Sequence, residues 1–429
     1  MAGQGEKFLM RFGVSFFALA VVAVFVTLWQ VAPGRYFEAL FWLGDVPYHY
    51  PFLDLETILQ AGTCARSGVD VYAANACMHG GSYNYSPLLL RASLLPIGTQ
   101  DRVAGGLMTL ILFSLSLSML PLARDWRALL SRCFAVFSPA TIFGAERGNF
   151  DLLVFCMVVI GVILTLRHPI LRWAGYLSLV CPALLKFYPA ATLILLLKEP
   201  RGRLLGILLP IIVISGVYFY EFWNGTITAL RTLPGGPPFG YWFGSTNLAY
   251  GFALLRGETA INLSPNITQY RAILLHGQTL QLANLAVLVM TLLAAGLGIM
   301  RAPRAETGQL LADELTYLVA GAAVLCCCFF EAQNVVYREI FFLFILPAIT
   351  SRRKLGWLMP SILFLMWEEA LRRLVEIGAN TWLGAHDAAY AQVSFWLFRE
   401  LVWWRVIIEL TAVLVWFGRT ETRRLLGVG

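Results

Sequence analysis

The sequence predicts an all-α protein, a polytopic bundle of about twelve transmembrane helices with both termini in the cytoplasm. Three observations lead to this prediction. Hydrophobic residues make up 59% of the 429 positions, whereas charged residues make up only 13%. Several apolar runs are long enough to cross a hydrocarbon layer of about 30 Å. Basic residues recur in short loops between these runs, and such loops stay on the cytoplasmic side of a membrane.

Each helix of the bundle can be placed in order along the chain. The first run follows a basic start. It is longer than the hydrophobic region of a signal peptide and no small-residue cleavage site follows it, so we expect it to be retained as a span. Two pairs of shorter runs are typical of hairpins, one around the polar tip 146–149 and one around Lys186. The predicted spans are 12–31, 103–122, 133–145, 150–166, 173–185, 187–197, 204–223, 280–300, 316–330, 340–350, 355–367 and 401–417.

The loops with clustered basic residues define the inner face of one domain, 1–429. Their bias accounts for most of the net charge of +7, which indicates contact with anionic membrane lipids. Nucleic acid is not an expected partner, because the chain has no stacking motif or basic arm. The remaining segments must face outside: 33–102 and 224–278 are large, and 331–339 and 371–400 are shorter. The basic loops lie at 7–11, 124–132, 167–172, 198–203, 301–304, 352–354 and 419–424.

The first outer segment, 33–102, contains the features that most need an explanation. Two stretches, 54–67 and 87–97, are expected to form amphipathic helices at the membrane surface. Cys64 and Cys77 both lie here, and an oxidising exterior permits a disulfide between them. Two free thiols are the alternative. No spacing of histidine and cysteine in the chain resembles a metal site.

Asp54 and Glu56 stand just before the first of these predicted surface helices. Acidic residues favour the first turn of a helix because of its dipole, so both can be explained by helix formation alone. The alternative is a general base at the membrane surface, where partial desolvation raises the pKa of a carboxylate. The spacing of the two residues does not choose between these explanations.

The order of several short motifs resembles a known family of membrane enzymes. Asp54 follows the first span, and the segments Gly68–Tyr72 and Tyr83–Leu88 come after it. Later motifs are Gly148–Asp151, Leu185–Pro189, Thr246–Leu248 and the Asn334, Tyr337, Arg338 group. The series resembles the GT-C superfamily of integral-membrane glycosyltransferases, most closely the polyprenyl-phosphate-mannose-dependent glycosyltransferase family 87. Val71 and Ser86 stand where that family usually has proline.

The resemblance implies a reaction at the outer face of the membrane. A polyprenyl-phosphate donor would transfer its sugar to a lipid or glycan acceptor, after a carboxylate removes the proton of the acceptor hydroxyl. Asp54 matches the position of the family's aspartate after the first span, so the resemblance implies that Asp54 is the general base. Glu56 is the second candidate, and Asp45 is a poorer one because it lies further from the helix.

The donor phosphate of such an enzyme needs cationic partners. Lys186 interrupts an apolar run, and a charge within a membrane segment is a candidate functional residue, although it can also extend to the interface. Arg338 offers a planar fork suited to phosphate, although it can also pair with a neighbouring glutamate. We expect Lys186 and Arg338 to converge near the outer leaflet. Further candidate substrate-binding residues are Arg147, Asn149, Tyr85, Tyr337, Asn247 and Asn334.

The sequence therefore predicts a hexosyltransferase, with mannose as the expected sugar, in a bacterial inner membrane. No cofactor is expected and the sequence gives no clear metal site; lysine and arginine could replace a cation at the single phosphate of a lipid carrier. The alternative is a transporter or flippase of a lipid-linked sugar, since broken helices with a central cation also occur in transporters. The lack of an inverted repeat and the large one-sided loops favour the enzyme. The oligomeric state is not predicted.

Two charged residues of the last predicted span could pair with each other. Arg405 and Glu409 are four residues apart on the predicted helix, so their side chains lie on the same face and can pair. We interpret this pair as structural.

Overall fold

A computed structural model describes residues 4–45, 50–91, 95–231, 235–257, 277–302, 310–351 and 356–427. Within these ranges the chain is almost entirely helical, which confirms the predicted all-α class. The α-helices are α1 Gln4–Val31, α2 Pro33–Trp42, α3 Leu53–Arg66, α4 Pro87–Leu90, α5 Arg102–Ser116, α6 Trp126–Val136, α7 Pro139–Arg147, α8 Asp151–Thr165, α9 Pro169–Lys186, α10 Arg201–Arg231, α11 Asn247–Gly257, α12 Gly277–Arg301, α13 Ala312–Glu331, α14 Phe342–Ser351, α15 Leu358–Met366, α16 Glu368–Trp382 and α17 Ala385–Leu426.

Short elements complete the described part of the chain. Strand β1, Trp242–Phe243, pairs antiparallel with β2, Asn334–Val335, so that Trp242 lies opposite Val335. The 3-10 helices are Ala76–Met78, Thr99–Asp101, Leu117–Met119, Tyr188–Lys198 and Val336–Phe341.

Six helices in the described ranges are long and apolar enough to cross a membrane. A seventh crossing results if α6 and α7, which meet at a bend of 46°, count as one span. The other predicted spans fall on shorter helices. These helices of membrane-spanning length identify the chain as a helical membrane bundle. The candidate spans are Gln4–Val31, Thr99–Met119, Arg201–Arg231, Gly277–Arg301, Ala312–Glu331 and Asp387–Leu426.

The core of the bundle lies around α8, α13 and α14. In α13, 78% of the most apolar window is buried, against 17% in α1 and α10. The last helix begins at Ala385, well before the predicted start at residue 401. Most of the predicted outer segment 371–400 is therefore helical, because its polar residues lie on α16 and on the first turns of α17.

The basic loops assigned to one side by the charge pattern gather at one end of the bundle. Arg124 donates to Glu314 at the start of α13 with an Nη2–Oε2 distance of 2.7 Å. Lys198 donates to the Thr316 hydroxyl at 2.7 Å. The loop at 352–354 lies outside the described residues. Since α13 rises about 1.5 Å per residue, its other end at Glu331 lies about 25 Å away along the helix axis.

Two hairpin tips point to that other end. The chain leaves α7 through Gly148, whose φ of 58° is left-handed and whose Cα lies against the Phe52 ring. The second reversal, at Phe187, separates α9 from the 3-10 helix that starts at Tyr188. Tyr176 closes the far end of this hairpin by donating to the Leu195 carbonyl at 3.1 Å. Both tips lie where the polar interruptions in the sequence predict them.

The first outer segment folds against the same end. Helix α3 matches the predicted surface helix at 54–67, whereas α4 ends at Leu90 and is much shorter than the predicted helix at 87–97, part of which lies outside the described residues. The structure contains the predicted disulfide between Cys64 and Cys77. Gln60 donates to the Cys77 carbonyl at 2.8 Å. This hydrogen bond and the disulfide together hold the 3-10 helix Ala76–Met78 against α3.

Candidate functional site

Asp151, the first residue of α8, is the centre of a buried polar cluster. Its Oδ1 lies 3.1 Å from Lys186 Nζ and accepts a hydrogen bond from the Tyr188 hydroxyl at 2.8 Å. Its Oδ2 accepts a hydrogen bond from Arg338 Nε at 3.2 Å. The Asp151 side chain is only 1% exposed. Both hairpin tips and the 3-10 helix after β2 therefore meet at one carboxylate.

The expected convergence of Lys186 and Arg338 is present in this cluster. One carboxylate cannot neutralise two cations, so these three side chains carry a net positive charge in a buried setting. Aromatic faces provide further contacts for the cations. Lys186 Nζ lies 4.5 Å from the centre of the Tyr85 ring, and the Arg338 guanidinium lies 4.8 Å from that of Tyr188.

Asp54 joins the same cluster through Asn149. The Asn149 amide donates to Asp54 Oδ2 at 2.5 Å, and its oxygen accepts the Asp151 backbone N–H at 2.9 Å. Arg147 forms an ion pair with Asp54, with 3.3 Å between Nε and Oδ1. The Asp54 carboxylate is thus held by the α7–α8 tip as well as lying in the first turn of its own helix.

Glu56 has a different environment from Asp54. It pairs with Arg102 at the start of α5, with 2.7 Å between Oε2 and Nη1. The Arg102 guanidinium also lies 4.2 Å from the centre of the Tyr50 ring. This ion pair fastens α3 to α5, which gives Glu56 a structural role apart from the cluster around Asp151.

A cleft opens beside the cluster, with an empty volume of about 740 Å³ that includes its mouth to solvent. Lys186, Arg338, Tyr337, Tyr85 and Asn334 are among the residues that line it. Burial raises the pKa of the Tyr85 and Tyr337 phenols above their ordinary value, and the nearby negative charge of Asp54 raises it further. Both phenols therefore stay protonated and can donate hydrogen bonds to an anion in the cleft.

Two predicted substrate-binding amides help to build the cleft wall. Asn334, which lines the cleft, donates to the carbonyls of Cys328 and Ala332, the latter at 2.9 Å. Asn247 is fully buried and donates to the Trp242 carbonyl at 2.5 Å. These bonds hold the two-stranded sheet against the end of α13. Asp54, Arg147, Asn149 and Asn247 are absent from the described lining of the cleft.

Two carboxylates at the site were not among the residues selected from the sequence. Asp151 ends the Gly148–Asp151 motif but carries no predicted role, because an acid at the start of an apolar run also fits an ordinary helix start. Glu331 lines the cleft at the end of α13 and is exposed. Glu331 is one of two glutamates near Arg338 in the sequence, whereas the structure pairs Arg338 with Asp151.

The predicted pair in the last helix is wrong. Glu409 pairs instead with Arg301 at the end of α12. The Arg405 guanidinium lies over the Trp357 ring, 4.2 Å from its centre. Each side chain thus finds its partner on a neighbouring element.

A buried charge of α17, Arg399, pairs with Glu400 at 2.6 Å. It also donates to the Pro238 carbonyl at 2.7 Å, which fastens the segment before β1.

Comparison with known proteins adds no relative to this description. No protein-family model matches the chain, and neither the curated proteins nor the solved structures contain a match to it.

Proposed function

We propose that the protein is a membrane glycosyltransferase that moves a hexose, with mannose as the expected sugar, from a polyprenyl-phosphate donor to an acceptor at the extracytoplasmic face. The observation that carries the proposal is the meeting of Lys186 and Arg338 at Asp151 on the edge of an open cleft. Their surplus positive charge suits an anionic ligand. Burial strengthens the attraction between these cations and an anionic ligand, because the local dielectric constant is low.

A single phosphate group fits this charge distribution. Arg338 uses Nε to bind Asp151, so the two terminal nitrogens of its fork remain for phosphate oxygens. The protonated phenols of Tyr85 and Tyr337 add neutral donors on the same cleft. One bound phosphate would offset the charge that Asp151 leaves uncompensated.

The proposed reaction uses a carboxylate as the general base. The acceptor hydroxyl gives its proton to the carboxylate, and its oxygen forms a bond to the anomeric carbon of the sugar. The bond from that carbon to the phosphate oxygen breaks, and the phosphate remains on the carrier. We assign the base to Asp54, which the Asn149 bridge connects to the backbone of Asp151, the residue that binds both cations. Glu331 is the competing carboxylate because it lines the cleft.

Substitution of either cation tests the donor site. We expect Lys186→Ala and Arg338→Ala each to raise the apparent KM for the lipid-linked donor by about 10- to 100-fold, since a hydrogen bond to a charged group contributes about 1.5–3 kcal/mol. Arg338→Lys keeps the positive charge but lacks the planar guanidinium that can donate two hydrogen bonds to phosphate, so it should restore the donor KM only in part. The assay is transfer of radiolabelled sugar by purified protein.

Arg91→Ala is the matched control for this assay. Arg91 pairs with Glu221 at 2.9 Å on the exposed surface, and an exposed pair contributes little. Normal donor KM in both Ala variants of the cleft would contradict the phosphate site.

The transporter alternative has one observation in its favour. The helical path is interrupted at Phe187, next to the cation Lys186, and interrupted helices are typical of transporters. Reconstituted vesicles distinguish the two functions. Movement of a lipid-linked sugar between leaflets without sugar transfer would favour the flippase and contradict the enzyme.

The proposed orientation places the termini and the basic loops in the cytoplasm of a bacterial cell, the cleft outside, and about twelve crossings between them. We expect Arg127→Cys to react with a membrane-impermeant thiol reagent only after permeabilisation, because basic loops stay inside. Gln100→Cys, in the first outer segment, should react in intact cells. The unsubstituted protein is the control for background labelling of its own exposed thiol, Cys181. Reaction of position 127 in intact cells would overturn the orientation.

A further inference from the structure

A second cavity is lined by Pro51 and Phe52, just before α3. Its empty volume is about 450 Å³, part of which is open to solvent. One wall is a strip of α1 that includes Val22, Phe25 and Trp29, and the opposite wall includes Ile142 of α7. Because α1 is apolar and largely exposed along its length, this groove lies beside a helix face that contacts lipid chains.

Glu146 is the only charged residue in the described lining of the groove. Its side chain is buried, with 5% exposure, and neither carboxylate oxygen has a hydrogen-bond partner among the described residues. The adjacent Arg147 is engaged with Asp54, and Asp45 adds a further negative charge nearby. An unpaired buried carboxylate is costly, because it loses its hydration without gaining a partner.

This chemistry selects the kind of molecule that the groove can hold. A phosphate or carboxylate headgroup would meet the Glu146 carboxyl group and no described cation in the lining. The polyprenyl-phosphate carrier is therefore a poor occupant and belongs with Lys186 and Arg338 in the other cleft. A headgroup that donates hydrogen bonds, either an ammonium or a hydroxyl group, would satisfy Glu146, and a hydrocarbon chain would fill the apolar remainder.

We propose that this groove binds a phosphate-free, single-chain membrane amphiphile. The headgroup donates hydrogen bonds to Glu146, and the chain lies along α1 between residues 21 and 29. The site is separate from the proposed donor cleft. Binding to it does not depend on sugar transfer, so the two proposals stand or fall independently.

Photoaffinity labelling with matched sixteen-carbon probes tests the site. Diazirine derivatives of hexadecylamine, hexadecanol and palmitic acid are added to the purified full-length protein, and labelled peptides are mapped by mass spectrometry. We expect the amine or the alcohol to label residues 21–29 about tenfold more than the acid, as for one hydrogen bond to a charged group. Preference for the amine identifies a cationic headgroup, whereas equal labelling by amine and alcohol identifies hydrogen bonding as sufficient. Equal labelling by the acid would overturn the proposal.

Two variants connect the labelling to the groove. Glu146→Gln should reduce amine labelling about tenfold, whereas Glu38→Gln should leave it unchanged because Glu38 is an exposed partner of Arg35. Val22→Trp should fill the groove and abolish labelling of residues 21–29 by every probe while Glu146 is intact. Because Val22→Trp leaves Glu146 in place, this variant still tests the proposal if Glu146→Gln does not fold. Full labelling of the Val22→Trp protein would show that the probes bind elsewhere, contrary to the proposal.

Discussion

Asp54→Asn is expected to lower the rate of sugar transfer by about 10²- to 10⁴-fold, the usual contribution of a positioned general base. Asparagine has nearly the same shape as aspartate but cannot accept the proton of the acceptor hydroxyl. The fold should survive, because the amide oxygen of the new residue can still accept the hydrogen bond that Asn149 donates at 2.5 Å. Donor KM should change little. The measurement is turnover at saturating donor, with thermal unfolding as a check on folding.

Two other carboxylates make this prediction specific. Glu56→Gln should retain turnover, because Glu56 pairs with Arg102 away from the cation cluster. Glu331→Gln is the decisive comparison, since Glu331 lines the cleft directly. Normal turnover of Asp54→Asn beside an inactive Glu331→Gln would move the base to Glu331. Normal turnover of all three variants would remove these carboxylates from the chemistry.

Asp151→Asn is expected to destabilise the protein by about 3–5 kcal/mol, the cost of breaking a buried ion pair by removing one partner. The substitution leaves Lys186 and Arg338 close together without their shared anion, and the Lys186 side chain is only 8% exposed. The expected result is a lower unfolding temperature in detergent. Glu38→Gln, which removes an exposed carboxylate, should leave that temperature unchanged.

A double substitution separates this electrostatic cause from a loss of packing. Lys186→Met combined with Asp151→Asn removes one buried cation together with the anion. The double variant should therefore be more stable than Asp151→Asn alone, because it leaves one uncompensated buried cation instead of two. Such non-additive effects are expected for residues in contact. A double variant that is less stable than the single one would indicate that the Asp151 site is held by shape rather than by charge.

The sequence predicts most of the helices because apolar runs and polar interruptions are local signals. Lys186 marked one hairpin tip and the 146–149 segment marked the other, and both tips are present. The paired polar contacts were harder to predict. Arg405 and Glu409 were expected to pair within one helix, yet each contacts an element that is distant in sequence. Spacing along a helix reports which side chains share a face, but not what the adjacent helix offers to them.

The centre of the candidate site shows the same difference between local and long-range signals. Lys186 stands out because an isolated charge interrupts apolar sequence, and Arg338 stands out because its planar fork suits phosphate. Asp151 does not, since an acid at the start of a helix is common. Its importance follows only from the folding of two hairpin tips and the 3-10 helix Val336–Phe341 onto one point. Helix α17 was underestimated for a related reason, because the polar character of its first turns resembles that of a loop.

The long sequence interval between Asp151 and Arg338 has a consequence for biosynthesis. The two residues are 187 positions apart, and chains generally fold from the N-terminus as they are made. Asp151 and Lys186 are therefore already available to each other while Arg338 has yet to leave the ribosome. They can enter the membrane as a mutually neutral pair, which reduces the cost of inserting either charge alone. Arg338 then arrives last, so the surplus positive charge of the site appears only after the chain through Arg338 has been made.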